Sequence, residues 1–183
     1  MTDETSLMLK VKDGQIGHLS DLFEANHLPL YNFYLRSGLN RALAEDLVQE
    51  TFMRVLAYRS TYKAESSFKA WFYRIARNVV ADHFRKLSNK EHHESFEEQH
   101  MEGSDSLTDS LEQQDQRNDF EKALSAIPAE HREIIILSRF QQLNYADIAE
   151  MLNCNINTLK TRMRAAISNL KSEYRLITGE VTP

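Results

Sequence analysis

Residues 145–170 read YADIAEMLNCNINTLKTRMRAAISNL. Ile148, Ala149 and Leu152 recur at helical spacing, and Asn153, Cys154 and Asn155 then break the pattern. Ile156, Leu159, Met163, Ala166, Ile167 and Leu170 resume it on one face of a second segment. Asn155 or Asn157 is placed to cap that second helix, because an Asn side-chain oxygen accepts a backbone N–H left unpaired at a helix start. At about 100° per residue, Thr158, Thr161, Arg164, Ala165 and Ser168 project away from the apolar stripe, with Lys160 and Arg162 on its flanks. One helix pinned, and the next offering small polar and cationic residues to a groove, is the shape of a DNA-reading helix-turn-helix. The plain alternative is a packed helical hairpin with a solvated face.

Working outward, the whole chain reads as all-α. Its 183 residues contain five glycines and three prolines, with no long alternation of β-branched and polar residues. Gly14, Gly17, Gly38, Gly103 and Gly179 lie far apart, outside any phosphate-cradling glycine pattern, which argues against P-loop and dinucleotide-binding enzymes. No apolar run reaches the roughly 18 residues of a membrane span. The opening MTDETSLMLK lacks the basic start and apolar core of a signal peptide, so a cytoplasmic location is expected. Cys154, the single cysteine, excludes an internal disulfide.

The net charge of −5 is unevenly spread. Residues 1–90 carry thirteen Lys and Arg against ten Asp and Glu, residues 91–121 one against eleven, and residues 122–183 eight against six. Phosphate neutralisation supplies most non-specific DNA affinity. A net-acidic chain with two mildly basic ends therefore suits a protein that meets DNA only when something else holds it there.

Two further stretches carry information. In residues 41–58, RALAEDLVQETFMRVLAY, one helical face holds Leu47, Val48, Thr51, Phe52, Val55 and Leu56. The other holds Asp46, Gln49, Glu50, Met53 and Arg54; an outward Met suits a partner-docking surface, or is incidental on a solvated one. In residues 68–86, FKAWFYRIARNVVADHFRK, the stripe of Phe68, Trp71, Phe72, Ile75, Ala76 and Val79 is read as core. Arg74, Asn78 and Arg85 run along one flank, and Arg77 points directly away from the core face. Residues 63–90 hold seven cations and two acids. Cations that track a backbone, beside an Asn and a polar loop with Tyr62, suit a reader of melted strand. Ser67 is placed to cap this helix.

Residues 88–118 are Glu-, Ser-, Asp- and Gln-rich with few apolar residues, and are expected to form a flexible acidic linker. His92, His93 and His100, with Glu94, Glu97, Glu98 and Glu102 nearby, lack the paired spacing of a zinc site. No metal, cofactor or catalytic residue is expected. The expected organisation is a helical domain over 1–87, the linker over 88–118, and a helix-turn-helix domain over 119–183, in which residues 130–140 form an apolar helix behind the reading pair.

Three stretches in this order resemble the extracytoplasmic-function group of bacterial sigma-70-family sigma factors, over about residues 6–175. AEDLVQETFMRVL is similar to region 2.2, which docks on the β′ clamp of RNA polymerase core; FKAWFYRIARNVVADHFRK to regions 2.3 and 2.4, which melt and read the −10 element; and residues 127–170 to region 4, which reads the −35 element. The resemblance implies a promoter-specific initiation factor, not an enzyme. It implies polymerase contacts from Asp46, Gln49, Glu50 and Met53, and −10 contacts from Tyr62, Ser66, Ser67, Arg74, Arg77 and Asn78, with Tyr62 and Asn78 pocketing a flipped base. Thr158, Lys160, Thr161 and Arg162 match the start of the recognition helix, with Arg164 in support where the family often carries Arg at the positions of Ala165 and Ile167. Where the family often has Pro and Gly in the turn, Asn155 and Asn157 stand here, and Asn tolerates a left-handed backbone. Promoter DNA and an anti-sigma factor are the further partners implied. A linker of about 30 residues extends to about 100 Å, enough to join promoter elements about 85 Å apart; its acidity suits either a strand in the polymerase channel or a simple tether. Two other classes remain as alternatives: a stand-alone helix-turn-helix regulator, and a metal enzyme built on the linker histidines.

Overall fold

The computed structural model describes residues 3–90 and 111–179, which form helices and turns without a strand among the described residues. They fall into two compact units, one of residues up to Tyr34 and from Asn40 onward, the other of the C-terminal helices together with Leu35–Leu39.

The N-terminal unit contains α1 (Glu4–Lys12), α2 (His18–Arg36) as far as Tyr34, α3 (Arg41–Ala57), a 3-10 turn (Arg59–Thr61) and α4 (Phe68–Lys90). Local chemistry sets their ends. Asp3 caps α1 by accepting the N–H groups of Thr5 and Ser6, and Asn40 caps α3 by accepting that of Leu43 at 2.9 Å. Between α2 and α3 the chain turns at Gly38, whose φ of +97° is a left-handed conformation that favours glycine. The helix α2 runs unbroken through Pro29. Pro29 and Ala25, whose carbonyl loses its usual partner, are both exposed, so water can take that bond.

Met8, Val11, Leu22, Leu30, Phe52, Phe72 and Ala76 are among the buried residues that join the four helices. The aromatic rings meet in a line: Phe23 to Phe52 at 4.9 Å between centroids, Phe52 to Phe72 at 5.4 Å, and Phe72 to Phe68 at 5.4 Å. One polar knot crosses this core. The Tyr34 hydroxyl lies 2.6 Å from the Thr51 hydroxyl and 3.3 Å from the Ala76 carbonyl, while Thr51 donates to the Leu47 carbonyl. Burial pushes the Tyr34 phenol well above its ordinary range, so it stays a neutral donor linking α2, α3 and α4.

The C-terminal unit contains α5 (Leu111–Ala126), α6 (Ala129–Ile135), a π-helical segment (Ile136–Phe140), α7 (Tyr145–Met151) and α8 (Ile156–Thr178). The start of α5 lies within the stretch expected to be linker, as does the end of α4, so helix reaches further in from both sides than composition suggested. The expected helix over 130–140 is α-helical only to Ile135; the Gln141 N–H then reaches back five residues to the Ile136 carbonyl. Ile134, Ile135, Ile136 and Leu137 are all buried, a run too wide for one helical face. Arg132 on α6 donates to the carbonyls of Ser125, in the last turn of α5, and Ile127, just past its end.

Candidate polymerase and nucleic-acid interfaces

On α3 the buried residues Leu47, Val48, Thr51, Phe52 and Val55 hold one side against the core. The positions between them therefore face out, and Asp46, Gln49, Glu50 and Met53 form an exposed stripe at i, i+3, i+4 and i+7. Met53 is 64% exposed, which no packing need of this unit explains. Arg54, read from the sequence as part of the outward face, instead turns into the α3–α4 seam with its side chain 17% exposed. Its Nε donates to Glu50 at 2.8 Å and a terminal nitrogen donates to Asp82 of α4 at 2.6 Å. The hydrogen bond from Arg54, reinforced by nearby Arg85 and Lys86, holds the Asp82 carboxyl below the usual carboxylate range. The Glu50–Arg54 spacing of four residues was the signal for the first of these pairs; the Asp82 link was invisible before folding.

The −10 candidates divide. Ser66, Ser67 and Asn78 are exposed, and Arg74 and Arg77 are half-buried, along the outer side of α4 and the loop before it. Ser67 Oγ accepts the Ala70 N–H at 3.4 Å, a long capping bond. Tyr62 departs from the expectation: it is fully buried, its ring packs edge-on against Trp71 at 5.2 Å, and its hydroxyl donates to the Ser66 carbonyl at 3.1 Å. Its backbone carbonyl also accepts from Lys12 Nζ at 2.6 Å, which ties the loop to α1. Tyr62 thus supports the loop from beneath and offers no free face to a base. The reason is the turn over residues 58–62, which folds the ring inward over Phe68. Trp71, expected in the core with Phe68 and Phe72, is half-exposed, whereas those two are buried. Its indole N–H points to the Thr61 hydroxyl, itself on an exposed residue, at 3.4 Å.

In the C-terminal unit Asn144 caps α7 through the Asp147 N–H, and Asn155 caps α8 through the Thr158 N–H, each at 2.8 Å. Of the two capping candidates, Asn155 is therefore the one used. The left-handed residue of the turn is Asn153, with φ of +51°, rather than Asn155 or Asn157. Leu159, Met163 and Ala166 seat α8 on the core. Lys160, Thr161, Arg162 and Arg164 are exposed and Thr158 is half-buried, as the amphipathic pattern required. An open groove runs between α7 and the start of α8, lined by residues that include Glu150, Cys154, Asn157, Thr161 and Arg162. The linker histidines lie outside the described residues.

The chain matches the family description "Sigma-70 region 2" over residues 22–90 and "Sigma-70, region 4" over residues 117–170. It is 31% identical to the ECF RNA polymerase sigma factor EcfG of Rhodopseudomonas palustris over 134 residues, covering 73% of this chain and 72% of that protein. This chain belongs to the extracytoplasmic-function sigma factors. The sigma factor is also 25% identical to SigW of Bacillus subtilis, over 91% of its own length and 94% of SigW. Among solved structures it is similar to RpoE in its complex with the anti-sigma factor NepR from Bartonella quintana, with a TM-score of 0.72, 28% identity, and coverage of 85% and 96% of the two chains. It shares a fold with CnrH, solved with the cytosolic domain of CnrY, at a TM-score of 0.70 and 17% identity. The sigma factor binds RNA polymerase core and directs promoter-specific initiation through −10 and −35 elements. A stand-alone regulator is not favoured, because the region 2 match occupies the unit that such a protein would not need. No described helix is long and apolar enough to cross a membrane.

Proposed function

We propose that three exposed faces divide the work of this sigma factor. Asp46, Gln49, Glu50 and Met53 dock on the β′ clamp. Ser66, Ser67, Arg74, Arg77 and Asn78 hold the opened −10 strand, with Tyr62 bracing the loop beneath them. Thr158, Lys160, Thr161, Arg162 and Arg164 enter the major groove at the −35 element. The domains carrying them span 1–87 and 119–183, joined by the acidic segment 88–118. The mechanism is binding energy throughout. The polymerase performs the covalent chemistry and this chain is not an enzyme; it chooses the promoter and stabilises unpaired bases that would otherwise restack. It works in the cytoplasm, held inactive until needed by an anti-sigma factor, as the NepR complex of its relative suggests.

The observation that carries this reading is the exposure of Met53 and its polar neighbours on one side of α3, while cations and Asn78 line the outside of α4. The test is transcription of genomic DNA by purified core polymerase with and without this chain, with transcript 5′ ends mapped. New discrete starts sharing two upstream elements are expected. No new starts, with tight binding of duplex DNA by the chain alone, would overturn the assignment of faces.

A further inference from the structure

Four charged side chains in the N-terminal unit form a line that begins on one proposed face and ends on another. Glu50, on the docking stripe, accepts from Arg54 Nε at 2.8 Å. Arg54 in the α3–α4 seam donates to one Asp82 oxygen at 2.6 Å. The other Asp82 oxygen accepts from Arg85, whose side chain is 71% exposed. Arg85 lies eleven residues, or about three helical turns, beyond Arg74, on the flank that also carries Asn78. The signs alternate from Glu50 to Arg85, so what happens to one charge alters the hold on the next. Arg54 and Asp82, in the middle of the line, are the members most shielded from water, with Arg54 the more so, and screening is weakest there. Its planar fork holds two carboxylates in two directions at once, which a lysine ammonium does not reproduce.

We propose that Arg54 is a positioning residue that couples polymerase docking to strand binding. A polymerase cation that takes Glu50 leaves Arg54 wholly to Asp82, and Asp82 then releases Arg85 to a backbone phosphate of the opened strand. This inference rests on the reading of the α3 stripe as the docking face and of the α4 flank as the strand-binding face. It adds to that reading a phosphate contact, Arg85, which is withheld from DNA until the polymerase is engaged.

The test uses the full chain, a fluorescein-labelled 20-nucleotide oligothymidylate and fluorescence anisotropy at low salt. Glu50→Gln removes the charge that competes for Arg54 and so imitates the docked state. It is expected to bind the strand about threefold to fivefold more tightly than the wild type, the effect of one charge-assisted phosphate contact at a solvated site. The logarithmic salt slope steepens by about 0.7, the increment for one further phosphate on a single strand. Glu45→Gln removes an equal charge from an exposed α3 position outside the line and reports what net charge alone does. Arg85→Ala erases the gain in the Glu50→Gln background. A Glu50→Gln chain no tighter than Glu45→Gln, whether both bind weakly or neither binds, overturns the proposal. So does a gain that survives Arg85→Ala. Arg74→Ala separates the two levels: if it weakens strand binding while Glu50→Gln gives no gain, the strand face stands and only the coupling falls. If Arg74→Ala binds as wild type, the strand face fails and the coupling fails with it.

Discussion

Asn155→Ala removes the carboxamide oxygen that accepts the Thr158 N–H at 2.8 Å, at the point where the turn becomes α8, the proposed recognition helix. Loss of such a cap costs about 1 kcal/mol, within a range of about 0.5–2. Leu159 is fully buried and pins the next turn, so fraying is confined to Ile156, Asn157 and Thr158. A cost of about 1 kcal/mol confined to that turn corresponds to about a fivefold loss of affinity for the −35 element, if DNA binding requires the turn to be formed. Serine caps about as well as asparagine, so Asn155→Ser is expected to restore both stability and binding. Asn155→Asp is expected to restore stability, because a carboxylate caps well and suits the helix dipole, while still binding DNA poorly because it brings an anion towards phosphates. The assay is abortive initiation by reconstituted holoenzyme on a promoter found by 5′-end mapping, compared with the same promoter carrying a scrambled upstream element. The Asn155→Ala defect must vanish on the scrambled template. Wild-type affinity in Asn155→Ala would refute the reasoning; an Asn155→Ser chain as weak as Asn155→Ala would show that Asn155 touches DNA itself.

Four other perturbations follow from the same geometry. Asn78→Ala removes an exposed amide from the α4 flank and is expected to slow promoter opening, read by permanganate reactivity of unpaired thymines, while core affinity stays within about twofold; equal losses in both would take Asn78 off the strand face. Glu50→Arg sets a cation beside Arg54 on the docking stripe and is expected to weaken core binding by about tenfold in a competition assay, with unchanged affinity removing Glu50 from that interface. Arg54 depresses the Asp82 pKa, so the stability this pair contributes is present above the ordinary Asp value of about 3.9 and is lost as pH falls through the lower folded value. Asp82→Asn is therefore expected to be less stable than wild type at neutral pH, with the gap closing below about pH 4 in unfolding curves followed by Trp71 fluorescence; parallel curves would contradict this. Tyr34→Phe keeps the ring and loses the 2.6 Å bond to Thr51, for an expected loss of about 1 kcal/mol by the same fluorescence signal, and no loss would mean the knot is energetically neutral.

What could be read from residue order was what repeats along a helix. The faces of α3 and α8 follow from apolar spacing, because a helix seated on a core presents the intervening positions to solvent; Asp46, Gln49, Glu50 and Met53 emerged together for that reason. The cap on α8 was legible too, since Asn155 acts on an N–H group three residues away; Asn40 and Asn144 cap α3 and α7 at the same spacing. Features depending on a second element were hidden. Tyr62 matched a base-contacting position by resemblance, yet its burial depends on how the loop folds over Phe68 and Trp71. Arg54 carried the spacing of an exposed residue, and only the approach of Asp82 from α4 draws it into the seam. The helical ends of the expected linker were missed because composition averages over a window, whereas helix propagates from an ordered end one residue at a time. The π segment escaped because its buried run of Ile and Leu reads equally as ordinary helix.

The acidic balance becomes intelligible once the interfaces are separated. On the proposed −35 face, Lys160, Arg162 and Arg164 are the exposed cations. Neutralising about three phosphates gives a logarithmic salt slope of only about −2.7, far short of what holds a stand-alone repressor to DNA at physiological salt. The strand-binding face has no substrate until a duplex opens, and opening is the act of the assembled polymerase. Neither surface is strong alone, and the eleven acids in residues 91–121 weaken any approach of the free chain to DNA further. Docking through the proposed α3 face changes the arithmetic mainly by position, with the Arg85 phosphate contact as its one addition. Both reading surfaces are then held near the promoter at high effective concentration, and their separate free energies act together. Weak individual contacts are therefore what makes the factor selective: promoter choice is expressed only by a chain already on polymerase, and one strong DNA-binding domain would sequester it on promoters without the enzyme.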